Sequence, residues 1–402
     1  MGTFRATMGP TAEALAVALP VTASWAAAPP MEIPVARPRL APLEAALPYL
    51  RRIDQTRTYS NFGPLNSLLE ERLGERLALG AGSVVTCANA TMGLTLALAA
   101  ALRPGGFCVT PAWTFAATAH AILAAGLTPY LADVDPASGA LTPEIAALAC
   151  REAPGEVAAV VPVAPFGAPL DAGAWDAFQA ATGVPVVWDA AAGFDALTPG
   201  AAPAVVSLHA TKVLGVGEGG FVVCRDEATA AEVRRRSNFG FAGSREAGAA
   251  GFNGKMSEYT AAFGLAALDL WPLLRSEYAS VLGYYRAALA GAPGLTIARG
   301  LGERWVASTF CIEADPFAVV EIERALAEAG VATRRWWGGG LHRHAAFERL
   351  PATPLPVTET LAARTLGLPC WPGMEPGTVD RIAAIVRRPL EKAAATPPLT
   401  GR

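Results

Sequence analysis

"AVVSLHATKVLGVGEGGFVVCR", residues 204–225, decides the fold. Two apolar runs, "AVVSLHA" (204–210) and "GFVVCR" (220–225), flank a single lysine, Lys212, and a glycine-rich loop. Apolar runs of this length with turn residues between them read as buried strands. Gly215, Gly217 and Gly220 match the spacing G-x-G-x-x-G. In a dinucleotide-binding fold that fingerprint closes a strand and opens a helix, with an acid about 20 residues further on. Here a strand follows the glycines. A nicotinamide oxidoreductase is therefore disfavoured, and the glycines read as a tight connection between two strands beside Lys212.

Working outward, five more runs of the same kind precede this stretch: "SVVTCA" (83–88), "FCVTPA" (107–112), "TPYLADV" (128–134), "AAVVPVA" (158–164) and "PVVWDA" (185–190). Alanine-rich helical stretches at 91–102, 114–125, 142–151 and 171–182 separate them, and Leu65, Leu68, Leu69, Leu73 and Leu77 share one face of an earlier helix. Strands apolar throughout and separated by helices predict a mostly parallel seven-stranded sheet covered on both faces. The expected organisation is an Ala/Pro-rich arm over 1–36, a large α/β domain over 37–265 and a smaller α+β domain over 266–402, with a helix in "PFAVVEIERALAEAG" (316–330).

Composition narrows the function. The net charge of −3 argues against a nucleic-acid surface. No apolar run reaches membrane-spanning length. The arm is a poor signal peptide, because only Arg5 precedes its apolar run and Pro20 interrupts it. The six cysteines form no C-x-x-C pair and no cluster with the four histidines, which fits reduced thiols in a cytoplasmic protein and no metal site.

In an open parallel sheet, ligands bind beyond the carboxyl ends of the strands. Four such ends carry suggestive groups. Asn89-Ala90-Thr91 opens a helix whose free N–H groups suit a phosphate, or Thr91 simply caps that helix. Trp113 and Phe115 follow "FCVTPA" and stack on a flat ring, or fill core. Asp189 lies among Val, Trp and Ala, needs a cation from elsewhere if buried, or is a helix N-cap. Lys212, if desolvated among its apolar neighbours, would have a depressed pKa and a nucleophilic amine, or it is a surface charge beside a flexible loop. Phosphate site, ring-stacking aromatic, strand-end aspartate and lysine, in that order, suit pyridoxal phosphate (PLP).

These residues carry a resemblance. "NFGPLNSLLEERL" (61–73), "CANATMGLTLAL" (87–98), "VTPAWTFAATAHAILAAGLTPYLADVDP" (109–136), "VVPVAPFGAPLD" (160–171), "VVWDAAAGFDA" (186–196), "SLHATKVLGVGEGGFVV" (207–223) and "FNGKMSEYTAAFGLAAL" (252–268) resemble the DegT/DnrJ/StrS-type sugar aminotransferases, PLP enzymes of the aspartate-aminotransferase fold (fold type I). The resemblance implies that Lys212 forms the Schiff base and carries the proton of the 1,3-prototropic shift. It implies that Asp189 pairs with the pyridinium nitrogen and that Phe115 stacks on the ring, with Trp113 nearby. Ala90, Thr91 and Ser207 would hold the phosphate, and Asn253 would reach it from the partner subunit of an obligate homodimer. His209 is a neighbour of the site or a packed strand histidine.

The implied reaction moves an amino group from glutamate to a nucleotide-linked keto sugar. "ATRRWWGGGLHRHAAF" (332–347) resembles the substrate loop of members acting at C4 of 4-keto-6-deoxy sugars. It makes Arg334, Arg335, His342 and Arg343 candidate diphosphate or sugar contacts, with a solvated basic loop as the plain alternative. Trp336 and Trp337 would stack on a sugar or base, or anchor the loop. Two departures stand out: "WDAAA" replaces the family's "EDAAQ", putting Ala192 where glutamine is common, and Ala164 replaces the histidine of "VPVHxYG". A drifted PLP-binding regulatory or scaffold protein is the alternative those departures raise. Relatives with histidine in place of the lysine are dehydratases; Lys212 is present, which favours transamination.

Overall fold

In the computed structural model, residues 32–102 and 104–395 are described. Most of the arm expected over 1–36 thus lies outside the described residues. Its last residues are tied down: Ile33 pairs with Val331, and the Val35 carbonyl accepts from the Cys370 N–H.

The chain begins with α1 (Leu43–Thr56) and α2 (Pro64–Arg76). Strands and helices then alternate: β1 (Val84–Cys87), α3 (Ala90–Ala101), β2 (Phe107–Pro111), α4 (Ala116–Ala124), β3 (Thr128–Ala132), α5 (Pro143–Glu152), β4 (Val157–Val160), α6 (Ala172–Thr182), β5 (Trp188–Asp189), β6 (Ala204–Ser207), β7 (Gly220–Val223) and α7 (Glu227–Ser237). All seven apolar runs are strands. They lie in the order β3-β2-β4-β5-β6-β7-β1, with β4 joined to β5 through the parallel pairs Val160–Val186 and Val163–Asp189. The sheet is parallel except at β7, which runs antiparallel to both β6 and β1. The link from Leu208 to Gly219 forms no helix and folds back on itself, with Leu208 bonding Gly219 and Ala210 bonding Gly217, so β7 returns antiparallel rather than crossing over to a parallel position.

Alternation along the strands splits the core into two layers. Val85, Val187, Val205 and Val222 pack with α3, α4 and α7 on one face. Val84, Val186, Trp188, Val206 and Phe221 pack with α2, α6 and α8 (Glu258–Asp269) on the other. Asp189, next after Trp188, therefore faces α4. The edge strand β3 is covered rather than left open: Leu131 bonds Pro351 and Thr353 through its backbone.

After α9 (Trp271–Ala288) come β8 (Thr296–Ile297), β9 (Phe310–Glu313), α10 (Pro316–Glu328), α11 (Pro356–Arg364), β10 (Thr365–Leu368) and α12 (Pro376–Ala395). Their antiparallel sheet β10-β9-β8 shares the larger apolar layer through Phe310, Ile312, Leu366 and Leu368, joined there by Val386 of α12. No helix among the described residues is long and apolar enough to cross a membrane.

Candidate active site

β5 and β6 end next to each other: Asp189 pairs with Val205, and two residues on the Ser207 N–H donates to the Ala191 carbonyl at 3.2 Å. The β6–β7 connection folds back over them. Leu208 bonds Gly219, Ala210 bonds Gly217 and the Lys212 N–H donates to the His209 carbonyl at 2.9 Å. Gly217 has φ 104°, a left-handed value that glycine adopts without strain. A Cβ on Gly220 would lie 2.8 Å from the Ala90 nitrogen. The glycines thus let β7 start directly against the first residue of α3, which places Ala90, Gly220 and its pairing partner Ser207 together.

Asp189 is 5% exposed. Its Oδ2 accepts from the Thr118 hydroxyl at 2.7 Å, and its Oδ1 from the Ala191 N–H at 3.1 Å. The residues after Asp189 form turns, not a helix, so the N-cap reading is wrong. The cation it requires is Lys212, which acts on it through charge. Burial raises the Asp189 pKa, opposed by the Thr118 and Ala191 donors and by Lys212. Burial lowers the Lys212 pKa, opposed by Asp189. Desolvation therefore drives both groups toward their neutral forms, and Lys212 has the depressed value a nucleophilic amine needs.

Other residues settle differently from expectation. The cap of α3 is Asn89, whose Oδ1 accepts from the Met92 N–H at 2.8 Å; Thr91 lies within the first turn and is not the cap. Trp113 is 2% exposed and meets the Trp337 ring edge-on at 5.1 Å, so it is core, whereas Phe115, just before α4, is 64% exposed. His209 is not a packed strand histidine. Its ring is partly exposed, Nδ1 accepts from the Thr211 N–H at 3.2 Å, and Nε2 lies 3.7 Å from Glu218. Asn253 is exposed beside Gly254, whose carbonyl accepts from Ala88 next to the α3 start; its own side chain accepts from Lys255.

The loop over 332–347 sits above β2, because the Leu341 N–H donates to the Ala112 carbonyl at 2.8 Å. Trp337 stacks on Phe166 at 4.2 Å and 6°, with both backbones in the left-handed region at φ 66° and 54°. Bulky residues adopt such values only where packing enforces them. Arg334 is exposed over the Trp336 ring. Arg335 is not free for substrate: its guanidinium bonds Glu323 of α10 and the Ala363 carbonyl, an anchoring role. Arg343 pairs with Glu359. His342 has both ring nitrogens buried without a hydrogen bond; Nε2 is 3.6 Å from Glu359, too long for one. Burial, then Arg343, lowers its pKa. The residues missed in the sequence are Thr118, Thr114 and Phe166. A threonine pair at i, i+4 opening a helix after a strand end was the available signal for the first two.

The six cysteines are free, with burial pushing Cys87, Cys224 and Cys370 up to about 12, so none is a ready nucleophile. Among the described residues no acid, histidine or cysteine cluster suits a metal.

A half-buried, desolvated amine in the β6–β7 connection and a buried carboxylate at the end of β5, beside a helix start with small neighbours, fit an aldehyde cofactor that has a basic ring nitrogen and a phosphate. Fold and site together define a PLP-dependent enzyme of the fold-type-I class. The family model of the DegT/DnrJ/EryC1/StrS aminotransferase family matches residues 43–387, and the chain belongs to that family. It is a PLP-dependent aminotransferase. A dTDP-4-amino-4,6-dideoxy-D-glucose transaminase of Shigella dysenteriae is 31% identical over 285 residues, covering 67% of this chain and 74% of the relative. The structure of DesI in the presence of its TDP-sugar product is 32% identical with a TM-score of 0.81, covering 92% of this chain and 96% of that one. A putative PLP-dependent aminotransferase from Bacillus cereus is 31% identical with a TM-score of 0.82, covering 88% and 99%.

Proposed function

We propose that this protein, a cytoplasmic homodimer, transfers the amino group of glutamate to the keto carbon of a nucleotide-linked sugar, a 4-keto-6-deoxy sugar. The observation that carries the reading is the pairing of buried Asp189, at the end of β5, with half-buried Lys212, in the β6–β7 connection beside the α3 start. Similarity to the Shigella transaminase and to DesI supports the substrate class.

The bound cofactor supplies an electron sink for the charge left when a substrate carbon loses its proton. The chain's own groups do the rest. Nζ of Lys212, kept neutral and nucleophilic by desolvation, would hold the cofactor covalently until the donor's amine takes its place and, once free, would take the proton from the donor's α carbon and return it. Asp189 holds the proton on the pyridine nitrogen. Ala90 and Thr91, in the first turn of α3, and the Ser207 hydroxyl hold the phosphate. Phe115 covers one ring face. Asn253 serves the partner's site, and the exposed aromatics near it, Tyr59, Phe239, Phe252 and Tyr259, suit a subunit interface. Arg334 and His342, on the loop anchored by Arg335 and Leu341, contact the diphosphate or sugar. His342 brings two unsatisfied ring nitrogens to that task.

The test is the visible absorbance of the purified protein before and after glutamate. A yellow band that glutamate bleaches, followed by amination of TDP- or UDP-linked 4-keto sugars, is the expected outcome. A band that glutamate leaves unchanged would point to another donor or to a binding-only protein.

A further inference from the structure

A threonine hydroxyl has one proton to give. Thr118 Oγ1 gives its proton to Asp189 Oδ2 at 2.7 Å. It can then only accept from Thr114 Oγ1, 2.9 Å away, so Thr114 is the donor in that contact. Both threonines are buried, at 0% and 1% exposure. The hydroxyl chain therefore runs one way, Thr114 to Thr118 to Asp189, for as long as Asp189 is ionised. The second donor is the Ala191 N–H on Oδ1. In sequence the carboxylate is followed by three alanines, Ala190, Ala191 and Ala192, whose side chains carry no donor. The charged side chain acting on it is Lys212, from the β6–β7 connection.

We propose that Thr114 and Thr118 are positioning residues that hold Asp189 as an ionised acceptor turned to a fixed angle, and so set how firmly this site keeps a proton on a pyridine nitrogen. The cofactor half of the proposal rests on the function proposed above. Two donors from different elements, α4 and the turn after β5, each take one lone pair on a different carboxylate oxygen. That fixes the carboxylate plane and leaves the remaining lone pairs for a ring N–H. Thr118 stands in the first turn of α4, so the carboxylate also lies near the positive end of that helix. Without the Thr118 hydroxyl the carboxylate would stay buried and lose its closest donor. A hydrogen bond to the charged form lowers a carboxyl pKa, so losing it raises that pKa. A protonated carboxyl carries no charge and accepts only weakly, and the ring nitrogen then loses the anion that holds its proton.

Two variants test this. Thr118→Val keeps the shape and removes the donor; Thr118→Ser keeps the donor. The first measurement uses cofactor-free protein: the pH midpoint of the Asp189 carboxyl by carbon NMR, assigned with Asp189→Asn. The expected result is an upward shift of about one unit in Thr118→Val, reversed in Thr118→Ser, with a smaller shift in Thr114→Val. Equal midpoints in wild type and Thr118→Val overturn the proposal, whether or not any cofactor binds. The second measurement uses the PLP-loaded enzyme. Thr118→Val should lower kcat about 10- to 100-fold, with the KM for glutamate within about threefold, and shift the pH dependence of the visible band, all restored by serine. Serine that fails to rescue would mean that methyl packing, not the hydroxyl, matters, and would also overturn it. A wild-type protein with no visible band after PLP overturns the proposed function, and with it the cofactor half alone.

Discussion

Asp189 and Lys212 are driven toward neutrality by the same burial, and that has opposite consequences for stability against pH. The folded-state pKa of Lys212 lies below its ordinary 10.5, so between the two values the unfolded chain binds more protons. Its contribution to stability therefore rises with pH through that window. The folded-state pKa of Asp189 lies above its ordinary 3.8, so the folded chain binds more protons there, and its contribution falls as pH rises. In cofactor-free protein, Lys212→Met should flatten the alkaline rise in melting temperature, and Asp189→Asn the acid-side fall. Calorimetry across the pH range checks both signs. With the cofactor present, Lys212→Ala should abolish turnover with the fold intact, and Asp189→Asn should lower kcat by about 100-fold or more, because an amide cannot hold the ring proton. Near-normal turnover in either variant removes that residue from the mechanism. Both residues were legible in the sequence because each is a lone charge inside an apolar run. Thr118 was harder to read: apart from its i, i+4 spacing from Thr114, a threonine in an alanine-rich helix looks like any solvated hydroxyl. Its partner is 71 residues away, a contact only the folded sheet creates.

The seven strands were readable as elements because each is apolar on both faces, the mark of a sheet covered by helices twice over. The direction of β7 follows from the way the helix-free connection before it folds back on itself rather than from its own residues, and the cap of α3 likewise depends on local backbone geometry. Asn89 holds the extended backbone that a cap requires, φ −166° and ψ 168°, whereas Thr91 is already helical. The small-domain strands β8, β9 and β10 have two to four residues each and gave no periodic signal. At this scale the critical contact is between β7 and α3. Gly220→Ala would drive a methyl to 2.8 Å from the Ala90 nitrogen, where the neighbours are backbone and cannot rotate away. The strand must shift, at a cost of about 1–3 kcal/mol. Because Ala90 and Ser207 are the phosphate residues proposed above, PLP affinity should fall along with melting temperature. A variant that loses stability but keeps wild-type affinity would separate the phosphate site from this contact.

At the scale of the whole molecule, two buried carboxylates tie distant segments together. Glu258 accepts from the Leu65 and Asn66 N–H groups, both at 2.8 Å, and so caps α2 from α8. Asp195, six residues past Asp189, accepts from Arg275 of α9 at 2.8 Å and from the Val306 N–H at 2.9 Å, joining the site's own turn to the smaller sheet's region. Glu258→Ala strands two buried donors and should cost about 2 kcal/mol or more, read as a lowered urea midpoint. Neither link was foreseeable, since each joins residues far apart in the chain.

The partner subunit lies at the same scale. If Asn253 serves the neighbouring site, a Lys212→Ala chain and an Asn253→Ala chain are each defective for different reasons, and a mixed dimer contains one intact site: Lys212 from the second chain, Asn253 from the first. Random reassociation yields mixed dimers for half the population, each with one good site of two, so activity should recover to about a quarter of wild type. Each variant measured alone sets the baseline, and ultracentrifugation confirms the dimer. Recovery shows that the site is shared across the interface. A mixture no more active than the sum of its parts would place Asn253 outside the partner's site and return that role to residues of the same chain.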